Sequence, residues 1–531
     1  MNQPENENAT ESAPSSAGET AARGAVVAGR GALKVGLGKA GFMLFGFAQK
    51  WLLARVVGPE HFGAFGVVNN AVSIVNNTIV QGTVQSVSKF TAETDAQVEP
   101  VKRAGLQLQL ALGGVLAAAF FFGAPLLTRL VHGSDDYVTW FRLAAVIPFF
   151  YGFYAVFVGS VNGQRRFGVQ GGFDAAFAAL KTLLLLVGAA TAPMWSRSDS
   201  APVTGALLGF ALAAGMVLVA AIKIIGVRRG VGPTFPVRRL FSFMTGVFAY
   251  ALLVNVALNY DQLLVKSFAG ALGDDARANA LAGNYEALRT LALLPYQALI
   301  VVTFVIFPLV SRSTFEADAD TTRRYIQQTL RISVLFAAAM GLVLGVRADA
   351  LLGIVYPKGY QEGVLALPIL AAGQCALALS GIACAMINAA GKPRVAIGIM
   401  VTTVGVGSLA AFNLVASVPA GPGLLKAQAI ATTLGMFSGL LVALIYLWRR
   451  YSATVPVRTW IRTSGALLVA VAVGRFFPGQ GKLAGLLAIG FSALAYGLVL
   501  FLMREIDASD RAQLGRILSR RKANARIDNK N

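Results

Sequence analysis

Cysteine is nearly absent: Cys375 and Cys384 are the only two in 531 residues. Both fall in one apolar run. Nine helical steps put them on opposite faces, which argues against a mutual disulfide. Histidine is as scarce. His61 and His132 fall in expected loops, and no cluster has metal-ligand spacing, so no metal site is expected. Charge is the third shortage. Only 13% of residues are charged, against about 25% in a typical soluble chain. No G-x-x-x-x-G-K-[ST] loop is present, which excludes ATP hydrolysis by that route. No Ser/His/Asp arrangement stands out, and the loops are too short for a catalytic domain. Neither an enzyme nor a cofactor is expected.

Apolar residues fill the space: 56% of the chain, with mean hydropathy +0.64. Many runs exceed the roughly 18 residues of a membrane-spanning helix and do not alternate as barrel strands would. The expected fold is therefore an all-α integral membrane protein of about fourteen spans. They lie near 32–57, 63–88, 104–130, 139–162, 170–194, 203–226, 241–267, 283–311, 325–346, 363–389, 394–416, 425–448, 462–477 and 482–503. Residues 1–22, with Glu5, Glu7, Glu11 and Glu19, read as a disordered tail with no cleavable signal. The net charge of +21 is spread over short alternate loops. Arg165, Arg166, Arg228, Arg229, Arg323, Arg324, Arg449 and Arg450 sit on one side, and Asp135, Asp136, Asp274 and Asp275 on the other. This is the pattern of positive-inside orientation, with both termini cytoplasmic, rather than of a nucleic-acid partner. Some of the bases would also meet anionic lipid headgroups.

One phrase is written twice. Val87-Ser88-Lys89 ends the second span and Val310-Ser311-Arg312 ends the eighth. Leu52-Leu53-Ala54-Arg55 resembles Leu263-Leu264-Val265-Lys266, and Gly163-Gln164-Arg165-Arg166 resembles Gly391-Lys392-Pro393-Arg394. Order and near-constant separation imply two six-helix lobes, 23–226 and 241–450, related by a pseudo-two-fold axis along the membrane normal. Two additional helices (460–503) and a basic cytoplasmic tail (504–531) follow. A tight outer hairpin, Gly58 to Gly63, joins spans 1 and 2.

Polar residues inside spans are costly unless they face protein or water. Span 7 carries Asn255, Asn259, Gln262 and Lys266 within about 60° of one another. Span 2 shows Asn70, Asn77 and Gln81 on one broad face. These stripes are either interhelical glue or the wall of a wet cavity. Span 8 brings Glu286 and Arg289 together at i, i+3, where they can pair. Arg289, deep in the span, is the leading candidate for gripping a phosphate. Lys181 lies near the middle of span 5, and either snorkels or faces the cavity. Lys34 and Lys39 sit where span 1 would meet an anionic headgroup. Asp174, Asp261 and Glu286 are the acids available for a coupling cation.

The run Ala54-Arg55-Val56-Val57-Gly58-Pro59-Glu60-His61-Phe62-Gly63-Ala64-Phe65-Gly66 precedes a polar span ending Gln85-Ser86-Val87-Ser88-Lys89. Together with Asn284-Tyr285-Glu286-Ala287-Leu288-Arg289, Pro295, Phe307-Pro308 and Gly391-Lys392-Pro393, it resembles the bacterial polysaccharide flippases. These belong to the multidrug/oligosaccharidyl-lipid/polysaccharide exporter superfamily. The resemblance implies two lobes in a V, and movement of a polyprenyl-diphosphate-linked oligosaccharide across the inner membrane by alternating access. It also implies membrane lipids and a polysaccharide polymerase or export machinery as partners. Arg289 matches by position a cavity-facing arginine of the related lipid II flippases. There an acid follows before the proline, and here none does, which puts the polysaccharide reading ahead of lipid II. A cation-coupled exporter of small molecules or drugs is the alternative. On these grounds Arg289→Ala is expected to abolish translocation and leave folding intact.

Overall fold

The computed structural model describes residues 16–228, 234–315, 318–479 and 481–505, and for 16–40, 42, 95, 304, 305, 308, 309 and 315 the backbone without the side chains. Its first helix, α1 (Ser16–Thr91), turns back on itself at Gly58. The φ of 76° and ψ of 172° there suit only glycine. Pro59 starts the second arm, where a missing N–H costs nothing and φ is already helical. The arms lie side by side: Lys50 on the first and Asn70 on the second reach the same Glu286 carboxylate. The expected hairpin of six residues is thus a single residue. His61, expected in a loop, is helical, with Nε2 2.6 Å from the Asp199 carbonyl oxygen.

A short 3-10 turn, Asp95–Gln97, leads into α2 (Val98–Leu130). Then come α3 (Asp136–Ala144), α4 (Val146–Gly163), α5 (Phe167–Trp195), α6 (Ala201–Ile224), α7 (Val237–Gly270) and α8 (Asp275–Ala292). The second half continues with α9 (Leu294–Phe315), α10 (Ala319–Gly345), α11 (Ala348–Val355), α12 (Ala366–Ala389), α13 (Pro393–Leu414) and α14 (Pro422–Tyr451). Last are α15 (Val457–Arg475) and α16 (Lys482–Leu502). No strand occurs among the described residues. Counting α3–α4 as one, ten helices among the described residues are long and apolar enough to cross a membrane, and the chain is a multi-pass helical membrane protein. α15, with Arg458, Arg462 and Arg475, falls short of that measure. Large apolar side chains such as Phe122 and Leu126 point outward, as a lipid solvent permits.

Two expected spans are broken where proline stands. Span 8 splits at Leu293, two residues before Pro295, and its first half starts eight residues earlier than expected, at Asp275. Span 4 splits at Ala145, before Pro148. In each case the ring would clash with the carbonyl four residues back and remove a hydrogen bond. The short helix α11 has no counterpart in the expected spans.

Packing repeats across the halves. α5 lies on α6 as α13 lies on α14, through glycines at Gly188 and Gly205 and at Gly407 and Gly435. α2 pairs with α4 as α10 pairs with α12. The second arm of α1 packs on α4 as α9 packs on α12. Between halves, the second arm runs along α7 while the first arm meets α8, as a two-fold relation requires. The seam is tightest beside Gly58. A Cβ on Gly63 would collide with the Asn279 carbonyl, and one on Gly283 with the Pro59 carbonyl. Gly283→Ala is therefore expected to cost about 1–3 kcal/mol by overpacking, read as a lower unfolding midpoint in detergent. Gly246→Ala, with open space around it, should show no such loss.

The last two spans are tied on by one carboxylate. Glu505, 2% exposed, accepts from Thr459 Oγ1 at 2.6 Å, Arg462 Nη1 at 2.8 Å and Arg331 Nε at 3.0 Å. Burial alone would raise its pKa. The Thr459 hydroxyl and the two guanidiniums outweigh burial and hold it below the ordinary value of 4.5. A depressed folded-state pKa gives stability that is present above the unfolded value and lost as pH falls through the folded one. Glu505→Gln is expected to lower stability by about 2 kcal/mol at pH 7. The difference between the two proteins should fade as unfolding is measured below about pH 4.5.

Candidate functional site

The tight packing of α1 on α7 and α8 gathers four charges near the middle of the fold. Arg289 on α8 is 1% exposed. Its Nε and Nη2 donate to Glu286 Oε2 at 2.9 and 2.6 Å. Nη1 donates to the Leu258 carbonyl at 2.5 Å and lies 3.6 Å from Asp261 Oδ1. Glu286 is also held from the other half: Lys50 Nζ donates to Oε1 at 2.7 Å, and Asn70 Nδ2 to Oε2 at 3.2 Å. Asp261 accepts from the Tyr285 hydroxyl at 3.1 Å and from the Gln262 N–H at 2.9 Å. Two cations and two carboxylates balance, which is how ionised groups are tolerated at such depth.

Only one of the four reaches open space. The Lys50 side chain is 25% exposed, while those of Glu286, Arg289 and Asp261 are at most 2%. Lys50 lines a cavity of about 130 Å³ with Met43, Gly46, Phe47, Thr290, Leu293 and Gln297. This cavity lies at the α8–α9 break. Lys181 is on α5, which packs against α1: the next residue, Thr182, donates to the Phe45 carbonyl at 3.4 Å, and the Lys181 ammonium sits 3.9 Å over the Phe210 ring. Further along the second arm of α1, Asn77, Gln81 and Gln85 are exposed at helical spacing and form an amide ladder.

The expected stripes divide. Asn70 and Gln262 hydrogen-bond each other across the seam, and Gln262 also donates to the Ala282 carbonyl at 3.1 Å. Asn255 donates back to the Ala251 carbonyl and faces Thr78. Asn259 offers its oxygen to Arg289 at 3.4 Å. Lys266 does not join them. It is fully buried, bound to Asp275 and 5.3 Å from the Tyr137 ring near the Gly58 end. Asp174 neighbours Tyr151 and Tyr154, and Asp261, expected as a candidate for a coupling cation, stands against Arg289. The side chains of Lys34 and Lys39 lie outside the described residues.

A family model described as polysaccharide biosynthesis protein matches residues 28–314. This chain belongs to that family. A search of curated proteins returned no match. Among solved structures, the lipid II flippase MurJ in an inward closed conformation is similar at 12% identity, covering 89% of this chain and 98% of its own, with a TM-score of 0.70. An inward-facing multidrug resistance MATE family transporter of the MOP superfamily is similar at 14% identity. That match covers 77% of this chain and 94% of the transporter, with a TM-score of 0.63. A MOP superfamily transporter from Pyrococcus furiosus matches at 14% identity, 80% and 95% coverage, and a TM-score of 0.58. At these identities the likeness is one of fold.

The matched stretch of this polysaccharide biosynthesis protein contains all four central charges. Lys50 is the one that sequence reasoning missed. Its partner Glu286 is 236 residues away, so no local pattern marks the pair. The available signal was depth: Lys50 stands eight residues before the turn at Gly58, in a largely apolar arm.

Proposed function

We propose that the protein moves a polyprenyl-diphosphate-linked oligosaccharide across the bacterial inner membrane, for cell-surface polysaccharides such as exopolysaccharide or lipopolysaccharide. It does so by alternating access without ATP hydrolysis, with both termini cytoplasmic. The observation carrying this reading is Lys50, a quarter of its side chain exposed, lining the cavity between α1 and the α8–α9 break, with a second cation, Lys181, on the adjoining α5 and the amide ladder of Asn77, Gln81 and Gln85 leading away. A charged, sugar-bearing headgroup is rejected by hydrocarbon. Paired cations suit a diphosphate, and amides suit hydroxyls. The prenyl tail stays in the bilayer. Family membership supports a glycan substrate, and the MurJ-like fold supports a prenyl-linked one. Arg289 and Asp261 act through Glu286 and Lys50, since neither reaches the cavity in this state. Deleting the gene tests the reading. A lipid-linked glycan should accumulate on the cytoplasmic side and the surface polysaccharide should disappear. An unchanged surface polysaccharide and lipid-linked pool would refute it.

A further inference from the structure

α11 and the loop after it have no part in the route described so far. They leave the second half of the chain and cross to the first arm of α1. Trp51 Nε1 donates to the Val355 carbonyl at 2.5 Å, and Arg55 Nη2 donates to the same oxygen at 3.0 Å. The Arg55 guanidinium also lies 4.6 Å over the Trp51 ring. In return the Tyr360 hydroxyl, fully buried, donates to the Ala54 carbonyl at 2.7 Å. Its ring meets Phe62 edge-on at 5.9 Å.

The far side of the loop is fastened to α8. Arg277 grips Glu362 with both terminal nitrogens, at 2.7 and 2.8 Å, and the Glu362 N–H donates to Asn284 Oδ1 at 3.2 Å. Residues 355–362 therefore form a strap across the seam between α1 and α8, at the Gly58 end. The two attachments differ in kind. The grip on α8 is a bidentate ion pair within one half. The grip on α1 is three single hydrogen bonds to carbonyl oxygens, each exchangeable with water when the seam opens. The Val355 carbonyl is a C-terminal orphan of α11, at the negative end of its dipole, and so accepts a cation readily. Gly359 and Gly363, at φ of 110° and 73°, bracket the loop and let it turn sharply.

We propose that residues 355–362 are a latch, closed in this structure, that holds the Gly58 end shut and releases Trp51, Ala54 and Arg55 when that end opens. The proposal rests on the alternating-access part of the reading above. The strap would travel with α8 as one body, leaving the Arg277–Glu362 pair intact.

The test uses full-length protein in vesicles of both orientations, with Cys375→Ala and Cys384→Ala as background. Ala278→Cys, buried near the outer end of α8, reports opening at the Gly58 end to an impermeant maleimide. Gln81→Cys reports access from the opposite end. Trp51→Phe and Tyr360→Phe each delete one hydrogen bond and keep an aromatic ring in place, the phenyl at position 51 being smaller than the indole. Each should raise labelling at 278 about fivefold, and the pair about 25-fold, for hydrogen bonds of ordinary net strength. Labelling at 81 should fall by the share of molecules that have opened, which is measurable in the pair. Unchanged labelling at 278 would overturn the latch. So would a rise at 278 with no fall at 81, which is local loosening. Labelling needs no substrate, so failure of the latch and failure of the transport reading appear in separate measurements.

Discussion

Replacing Arg289 with alanine is expected to destabilise the protein by about 3–5 kcal/mol, the usual result of removing one partner from a buried ion pair. Arg289 is the main counter-charge for two carboxylates with no access to water. Glu286 would keep Lys50 and Asn70. Asp261 would keep only the Tyr285 hydroxyl and one backbone N–H. The outcome should be poor accumulation in the membrane and a sharply lower unfolding midpoint in detergent. This corrects the expectation that Arg289 can be removed with folding intact, because that expectation placed its guanidinium in open cavity. Asp261→Asn combined with Arg289→Gln removes one charge of each sign, leaves the Lys50–Glu286 pair in place, and should recover more than half of the loss. A double variant as unstable as Arg289→Ala would show that packing, not charge balance, sets the cost.

Lys50→Gln is expected to do the opposite: stop transport and leave the fold standing. Glu286 would still be bonded twice by Arg289, and the Lys50 side chain is already a quarter exposed. The midpoint should stay near that of the unaltered protein. Translocation should fall about 100-fold, because truncating one side of a desolvated charge pair costs about 2–5 kcal/mol. Lys50→Arg keeps the charge and should retain much of the rate. A Lys50→Gln protein that unfolds as readily as Arg289→Ala would move Lys50 from substrate handling to structure.

Much of the fold was legible because a membrane imposes a length on every helix. The apolar runs located the crossing helices, and the repeated phrases located matching ends in the two halves. Proline was the weak point. Pro148 and Pro295 lie inside apolar runs, so run length alone joined helices that the ring separates. α11 is eight residues long, too short for a span-counting argument to notice. The site was legible where partners are local. Glu286 and Arg289 share a helix face, and their spacing announces the pair. Lys266 shows the limit of face arithmetic. It shares a stripe with Asn255, but eleven residues of helix put it about 16 Å further along the axis, where Asp275 binds it. Lys50 and Trp51 find their partners hundreds of residues away, and only the folded chain brings those together.

The central claim is that the route ending at Lys50 carries an anionic, glycan-bearing headgroup. The direct measurement reconstitutes the purified protein in vesicles with a labelled polyprenyl-diphosphate oligosaccharide and follows the headgroup across the bilayer. The account predicts translocation well above protein-free vesicles, reduced about 100-fold by Lys50→Gln. Translocation no faster than in empty vesicles, or equal rates for Lys50→Gln and the unaltered protein, would contradict it.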